Sequence, residues 1–281
     1  MATFVDGIRR WARAGIRRSE PAIGLALGGG FARGIAHLGV LRVLEERRIP
    51  IGMIAGVSAG AIVASAYASG TSIEEIAAAA RTMKFKDVAR WTVSLLGLAG
   101  SERMAGFLKR LLKVYTFEQM RIPLAVVATD LKTGLPAVFR DRGDVLLPIR
   151  ASCSYPGLYQ PVRYQGQNLV DGAMSIEVPS PLVRQMGATH IVSVCLPVNG
   201  AGFDPRNLLQ VVNRCFQIMQ RRSEREWRRA SNLVIEPNVD GLTWDSFDSA
   251  ERLIECGEKA ALAALPRILS WLGQPAGREA A

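Results

Sequence analysis

Histidine is scarce in this chain: 281 residues contain two, His37 and His190. Any mechanism that needs an imidazole base has only those two positions to draw on. Four cysteines, Cys153, Cys195, Cys215 and Cys256, are scattered without framework spacing. That excludes a disulfide scaffold and, with so few histidines, a zinc-ligand pattern; the expectation is reduced thiols, a cytoplasmic setting and no metal or other cofactor. No apolar run reaches the roughly 18 residues of a transmembrane helix. The first twenty residues carry arginines throughout, so they lack the uninterrupted apolar core of a signal peptide. There is no repeat and no low-complexity block. Acidic residues are also short in number, 25 against 35 Lys and Arg, for a net charge of +10 and a pI near 9.9. Such a surface suits nucleic acid or an anionic membrane, and no nucleic-acid module is visible. Nothing in the sequence speaks to an oligomeric state.

What is present fits one large α/β domain, with 49% hydrophobic and 21% charged residues. Apolar strands are expected near 23–27, 51–55, 124–129, 136–140 and 190–196. Helices are expected between the first two and again near 61–68, 72–90, 101–113, 204–230 and 246–272, with a short strand at 233–236. Strands alternating with helices argue for a three-layer α/β/α fold around a mostly parallel sheet. The domain is expected over 21–275, its core over 23–197, with a short tail at 276–281. Residues 1–20 form a separate amphipathic segment: on a helix, Phe4, Ile8 and Trp11 share one face and Arg9, Arg10, Arg13 and Arg17 the other. This is the pattern of an interfacial membrane helix, and equally of a helix packed on the domain.

Three short stretches carry chemistry. Gly56-Val57-Ser58-Ala59-Gly60 is a G-x-S-x-G pattern between an apolar strand and a small-residue helix, the context of a nucleophile elbow. A bland reading makes Ser58 a helix cap. Leu27-Gly28-Gly29-Gly30-Phe31-Ala32-Arg33-Gly34 follows a strand and opens a helix. It is not G-x-G-x-x-G, because Arg33 holds the sixth position, and it lacks the Lys-Ser/Thr of a P-loop. What remains is a loop that presents backbone N–H groups to an anion, which beside an elbow is a tetrahedral oxyanion. Asp171-Gly172-Ala173 offers a carboxylate at the end of a short apolar stretch, and Asp130 ends another; either could serve as general base. A Ser58–Asp–His190 triad is a further option by chain order. His37, just past the glycine loop, reads as a packing residue.

GGGFARGIAHLGVL, GVSAG and DGA, with Arg150-Ala151-Ser152-Cys153-Ser154-Tyr155-Pro156-Gly157 upstream of the aspartate, together resemble the patatin-like phospholipase family in its small bacterial form. The resemblance spans about residues 23–197. It implies a Ser–Asp dyad of Ser58 as nucleophile and Asp171 as base, an oxyanion hole from the Gly29, Gly30 and Phe31 region supported by Arg33, and lipid acyl esters as substrates. Two positions depart from the family pattern. Phe31 replaces a small residue, which predicts a narrower or tilted loop. Ser175-Ile176-Glu177-Val178-Pro179 stands in place of an Asn-Pro-Val-Pro-like run, and its Glu177 predicts a second carboxylate raising the pKa of the base. A non-catalytic lipid- or membrane-binding protein on the same fold is the competing function.

Overall fold

Residues in β1 (Ile23–Leu27) obey a period of two. Ile23, Leu25 and Leu27 enter one apolar cluster and Ala26 the other, because successive side chains of a strand point to opposite faces. Both faces of the sheet are therefore covered. The computed structural model describes residues 22–92, 94–197, 204–205, 208–243 and 245–273. The amphipathic segment 1–20 and the tail 276–281 lie outside the described residues.

From β1 the chain passes through a 3-10 turn (Phe31–Ile35) into α1 (Ala36–Glu46), β2 (Ile51–Val57), α2 (Ala59–Ala68), α3 (Ile73–Thr82) and a single-turn α4 (Phe85–Val88). A small antiparallel ribbon, β3 (Arg90–Trp91) and β4 (Ala99–Gly100), precedes α5 (Glu102–Leu111), β5 (Leu124–Asp130), β6 (Pro136–Arg140) and α6 (Leu146–Ser152). Next come β7 (Val162–Tyr164), β8 (Gln167–Asp171), α7 (Ser180–Gln185), β9 (His190–Val194), α8 (Leu208–Ala230), β10 (Leu233–Ile235) and α9 (Ala250–Trp271). The sheet is mixed and mostly parallel, ordered β10-β9-β1-β2-β5-β8-β7. α1, α2, α3 and α9 cover one face; α7 and Trp227 of α8 cover the other.

The expected helix over 72–90 is two pieces. α3 starts with a capping box between Ser72 and Glu75 and stops at Met83, whose ψ of 132° is extended. The Asp87 carboxylate then accepts the Lys84 N–H to start α4, and Arg90–Trp91 pair with Ala99–Gly100 instead of continuing the helix. α6, α7 and β7 went unanticipated; all are short, and α7 starts at a proline-flanked turn.

One feature of β5 positions the site. Its residues 125–127 pair with both β2 and β6, and residues 128–129 with both β6 and β8. A strand has two edges, so β6 occupies one while β2 and β8 share the other end to end. β2 runs parallel to β5 and β8 antiparallel, so their C-terminal ends converge on the middle of β5. Ser58 follows one of those ends and Asp171 closes the other.

Candidate active site

Ser58 sits between Val57 and the first turn of α2 with φ 53° and ψ −124°. This is a strained conformation for a residue with a side chain. Its hydroxyl makes no capping bond to the helix, so the cap reading fails. The strained turn is held from two directions. Gly60 packs so closely on β1 that a Cβ there would lie 2.4 Å from the Leu27 carbonyl oxygen and 2.5 Å from that of Gly28. The Ser58 N–H donates to Ser152 Oγ at 2.8 Å, and that hydroxyl donates to the Val127 carbonyl at 2.6 Å.

Asp171 is buried to 1% exposure. Its N–H donates to the Ser154 carbonyl, and its Oδ1 accepts the Ala173 N–H at 2.9 Å. Burial pushes its carboxyl up to about 7, against hydrogen bonding from the Ala173 N–H and the Ser58 hydroxyl. Gly172 lets the chain turn here: a Cβ would stand 2.1 Å from the Val127 oxygen.

The rival carboxylate is engaged elsewhere. Asp130 accepts from the Lys132 N–H and the Thr133 hydroxyl and closes its own turn. His190 pairs with Ile23, at the start of β1, and its ring lies 4.7 Å from Trp271. Ser58 follows the far end of the sheet, roughly 13 Å or more along the strands. The structure thus removes the histidine triad. Glu177 also departs from expectation. It lines the same pocket, but burial, not Glu177, raises Asp171. Glu177 is itself pushed up by burial while accepting from Trp227 Nε1 and Cys195 Sγ.

The glycine loop faces the serine. A Cβ on Gly29 would lie 3.4 Å from that of Ser58. The Gly29 and Gly30 N–H groups have no acceptor among the described residues. Phe31 adopts φ 52°, and its ring meets Tyr155 edge-on at 4.9 Å. Tyr155 in turn meets Phe216 of α8 and donates to Asn213 Oδ1. The large residue is therefore clamped by a stack of aromatics that draws α8 over the loop. Arg33 is mostly buried, its pKa lowered by that burial, and its Nε–H has no partner among the described residues. His37 is more than packing. It is fully buried, and its Nε2–H donates to the Gly28 carbonyl at 2.9 Å. Burial drives its pKa down to about 4, so it is neutral at pH 7 and ties the loop to α1. Ser152 could not be recognised as a support from the sequence, since its bond to the Ser58 N–H spans 94 positions; the His37 bond spans nine, but which way its ring turns is set only by packing.

Two cavities meet at Ser58. One is an apolar cleft lined by Ile35, Leu38, Val63, Ile76, Met104 and Phe107 among others, with no charged side chain among the described residues of its wall. The other is polar, with Arg33, Asp171, Glu177, Asn213, Gln217 and Gln220 around Ser58. The last three lie on α8. Among the described residues, Ser58 and Phe31 alone belong to both.

The family model for patatin-like phospholipases matches residues 25–182. The chain belongs to the patatin-like phospholipase family. An uncharacterized NTE family protein of Mycobacterium tuberculosis is 34% identical over 190 residues, 66% of this chain and 52% of its own. Lysophospholipase NTE1 of Mycosarcoma maydis is 32% identical over 246 residues, covering 84% of this chain and 13% of its own. The chain thus spans about half the length of the mycobacterial relatives it matches. Among solved structures, human GIVD cytosolic phospholipase A2 matches with a TM-score of 0.52 at 12% identity, over 90% of this chain and 59% of its own. VipD from Legionella pneumophila matches at 0.50 and 16%, over 88% and 67%. At such identities these two share the fold.

Proposed function

We propose that this chain is a serine acyl hydrolase acting on acyl esters of lipids, phospholipids included. The observation that carries this is the position of Ser58. It lies where a charge-free apolar cleft meets a polar pocket holding a carboxylate and a guanidinium. An amphiphilic ester fits that junction, with its acyl chain in the cleft, its carbonyl at Ser58 and its head group on the polar side. The mostly buried Arg33, whose Nε–H has no partner among the described residues, suits an anionic head group. The relatives, a lysophospholipase among them, agree with this class.

In this mechanism Asp171 accepts the Ser58 proton as Oγ attacks the acyl carbonyl. The Gly29 and Gly30 N–H groups, with the start of the 3-10 turn, hold the oxyanion; each such donor is worth about 3–4 kcal/mol in the transition state. Collapse breaks the ester C–O bond, and the proton on Asp171 passes to the departing alkoxide. Water then attacks the acyl-enzyme with Asp171 again as base, releasing the fatty acid and restoring Ser58. An alcohol leaving group needs less acid assistance than an amine, so a carboxylate poised near 7 serves without an imidazole. The setting we propose is cytoplasmic and at a membrane surface: the net charge is +10, and no described helix is long and apolar enough to cross a membrane.

The test is a panel of phospholipids, lysophospholipids and soluble short-chain esters, run on wild type and Ser58→Ala, with fluorophosphonate labelling alongside. Turnover and labelling that both vanish in Ser58→Ala support the reading. Folded wild type that neither labels nor turns over any ester leaves a lipid-binding protein.

A further inference from the structure

Trp91, Leu95, Leu96 and Leu98 are 66%, 105%, 64% and 42% exposed. They are four large apolar side chains within eight positions, on or between β3 and β4. Contiguous exposed apolar surface of this kind marks an interaction site. The ribbon is not a loose appendage. The Thr92 N–H donates to the Leu98 carbonyl, the Ala99 N–H to that of Leu158, and the Gln160 N–H to that of Ala99, all at 2.8–3.0 Å. A Cβ on Gly97 would stand 2.6 Å from the Tyr159 carbonyl carbon, so the ribbon rests directly on that backbone.

The patch continues into the catalytic cleft. The Trp91 ring is 5.4 Å from that of Phe85, and Phe85 is 6.2 Å from Tyr159. Phe85 and Tyr159 both line the apolar cleft that ends at Ser58. Positive charge gathers on the flanking stretches of chain. Residues 84–110 contain six basic side chains, Lys84, Lys86, Arg90, Arg103, Lys109 and Arg110, all exposed, against two acidic ones. One of the two, Asp87, is already used to cap the Lys84 N–H. Exposed Trp and Leu with exposed Lys and Arg on the flanking stretches of chain match the boundary between acyl chains and anionic head groups.

We propose that the β3–β4 ribbon docks the protein onto an anionic phospholipid bilayer. Trp91, Leu95, Leu96 and Leu98 enter the acyl boundary, and the basic side chains meet the head groups. The cleft then opens onto lipid, and an acyl chain reaches Ser58 without crossing water. This last step rests on the acyl-hydrolase reading; the docking itself is measured apart from it.

The experiment uses full-length Ser58→Ala protein, which cannot turn over lipid, sedimented with vesicles of phosphatidylcholine alone or mixed with phosphatidylglycerol. Binding is expected to favour the anionic vesicles and to weaken with salt. Adding Leu95→Asp and Leu96→Asp is expected to weaken it at least about tenfold. With Ser58 intact, the same two substitutions are expected to leave turnover of a soluble short-chain ester and the thermal unfolding midpoint unchanged, which shows that the fold survives. A second measurement needs no polar substitution: bromine-labelled lipid is expected to quench tryptophan fluorescence less in Trp91→Phe than in its parent. Sedimentation of the Asp variant equal to its parent, or equal quenching with and without Trp91, overturns the proposal. So does binding indifferent to lipid charge. Because sedimentation is read without the serine, its result is independent of whether the enzyme hydrolyses any ester.

Discussion

On one side of Ser58 the wall is Ile35, Leu38, Val63, Ile76 and Phe107, without a charge among its described residues. On the other stand Arg33, Asp171 and Glu177, and burial pushes each of them towards its neutral form. The first wall stabilises the fold by ordinary apolar burial, about 25 cal/mol per Å². The second opposes folding, since desolvated ionisable groups lose hydration that their few partners only partly replace. Groups held against their stability interest mark a site built for chemistry. The comparison makes a sharp claim: polar-pocket substitutions should cost activity and spare or raise stability, whereas cleft substitutions should change which chains fit and spare the chemistry.

The largest effect should come from the dyad. Ser58→Ala and Asp171→Asn are each expected to lower kcat on a soluble ester by on the order of 10⁴-fold, with the double variant no worse than either. Asp171→Asn should at the same time be the more stable protein at pH 8. The folded pKa of Asp171, about 7, lies above its unfolded value of about 3.9. Its contribution to stability is therefore fully present below about pH 4 and lost as pH rises through 7. The neutral amide escapes that loss, a gain of at most about 4 kcal/mol. Urea unfolding at pH 8 and at pH 4 measures it; an Asn variant no more stable at pH 8 breaks the comparison.

The pH dependence follows from the same two buried groups. As a base, Asp171 must be ionised, so kcat/KM is expected to rise with a single-proton slope to a plateau above about pH 7. His37 has the opposite effect on stability. Its folded pKa is about 4, below the ordinary 6.5, so its contribution is present above 6.5 and lost as pH falls towards 4. In wild type the two slopes oppose each other between about pH 4 and 6.5. In Asp171→Asn the His37 slope is opposed only by that of the buried Glu177 carboxyl, so stability should rise with pH across that window relative to wild type. Adding His37→Asn should remove that rise; a profile unchanged by it would remove the neutral His37 from beneath the glycine loop.

Ser152→Ala should have a smaller effect. It leaves the Ser58 N–H without its acceptor and the strained φ of 53° without its strut. We expect kcat to fall about 10- to 100-fold, KM to hold, and stability to drop by about 1–3 kcal/mol for the unsatisfied buried donor. A loss of affinity for an inert analogue as large as the loss in kcat would assign Ser152 to the substrate rather than to the elbow; soluble-ester kinetics with that analogue as competitor separate the two.

Much of this site could be read along the chain because its parts are local. Strand, glycine-bounded serine and helix occur within eighteen consecutive residues, Ile51 to Ala68, and the glycine loop with its helix is just as compact. The choice between Asp171 and Asp130 was not local. Each ends a strand, and only the register of β8 on β5, with Asp171 opposite Ala128, brings one carboxylate to the serine and leaves the other at a turn. His190 is excluded by strand direction rather than by chain order: it opens β9 level with the starts of β1 and β2, whereas Ser58 follows the end of β2. The supports were the least legible. Ser152 lies 94 positions from the N–H it accepts. On α8, Asn213, Gln217 and Gln220 share one helical face at the pocket, a spacing the sequence contained but the charge of that helix obscured.

The smallest effect, and the one that tests the apolar side by itself, belongs to the cleft. Ala79 lies on α3 and lines the cleft away from Ser58 and the glycine loop. Ala79→Phe should fill part of the space that an acyl chain takes while leaving the dyad, the elbow and the N–H donors untouched. For short-chain esters kcat/KM should stay within about twofold of wild type. For long-chain esters it should fall about tenfold, the scale of discrimination that a few methylenes command in an apolar pocket. Half-buried Ala79 gives the ring room to turn outward at little strain, so stability should change by less than about 1 kcal/mol. The measurement is the ratio of kcat/KM for long against short acyl esters in both proteins. If the ratio is unchanged, acyl chains do not lie in this cleft, and the division of labour at Ser58 fails on its apolar side while the chemistry of its polar side still stands.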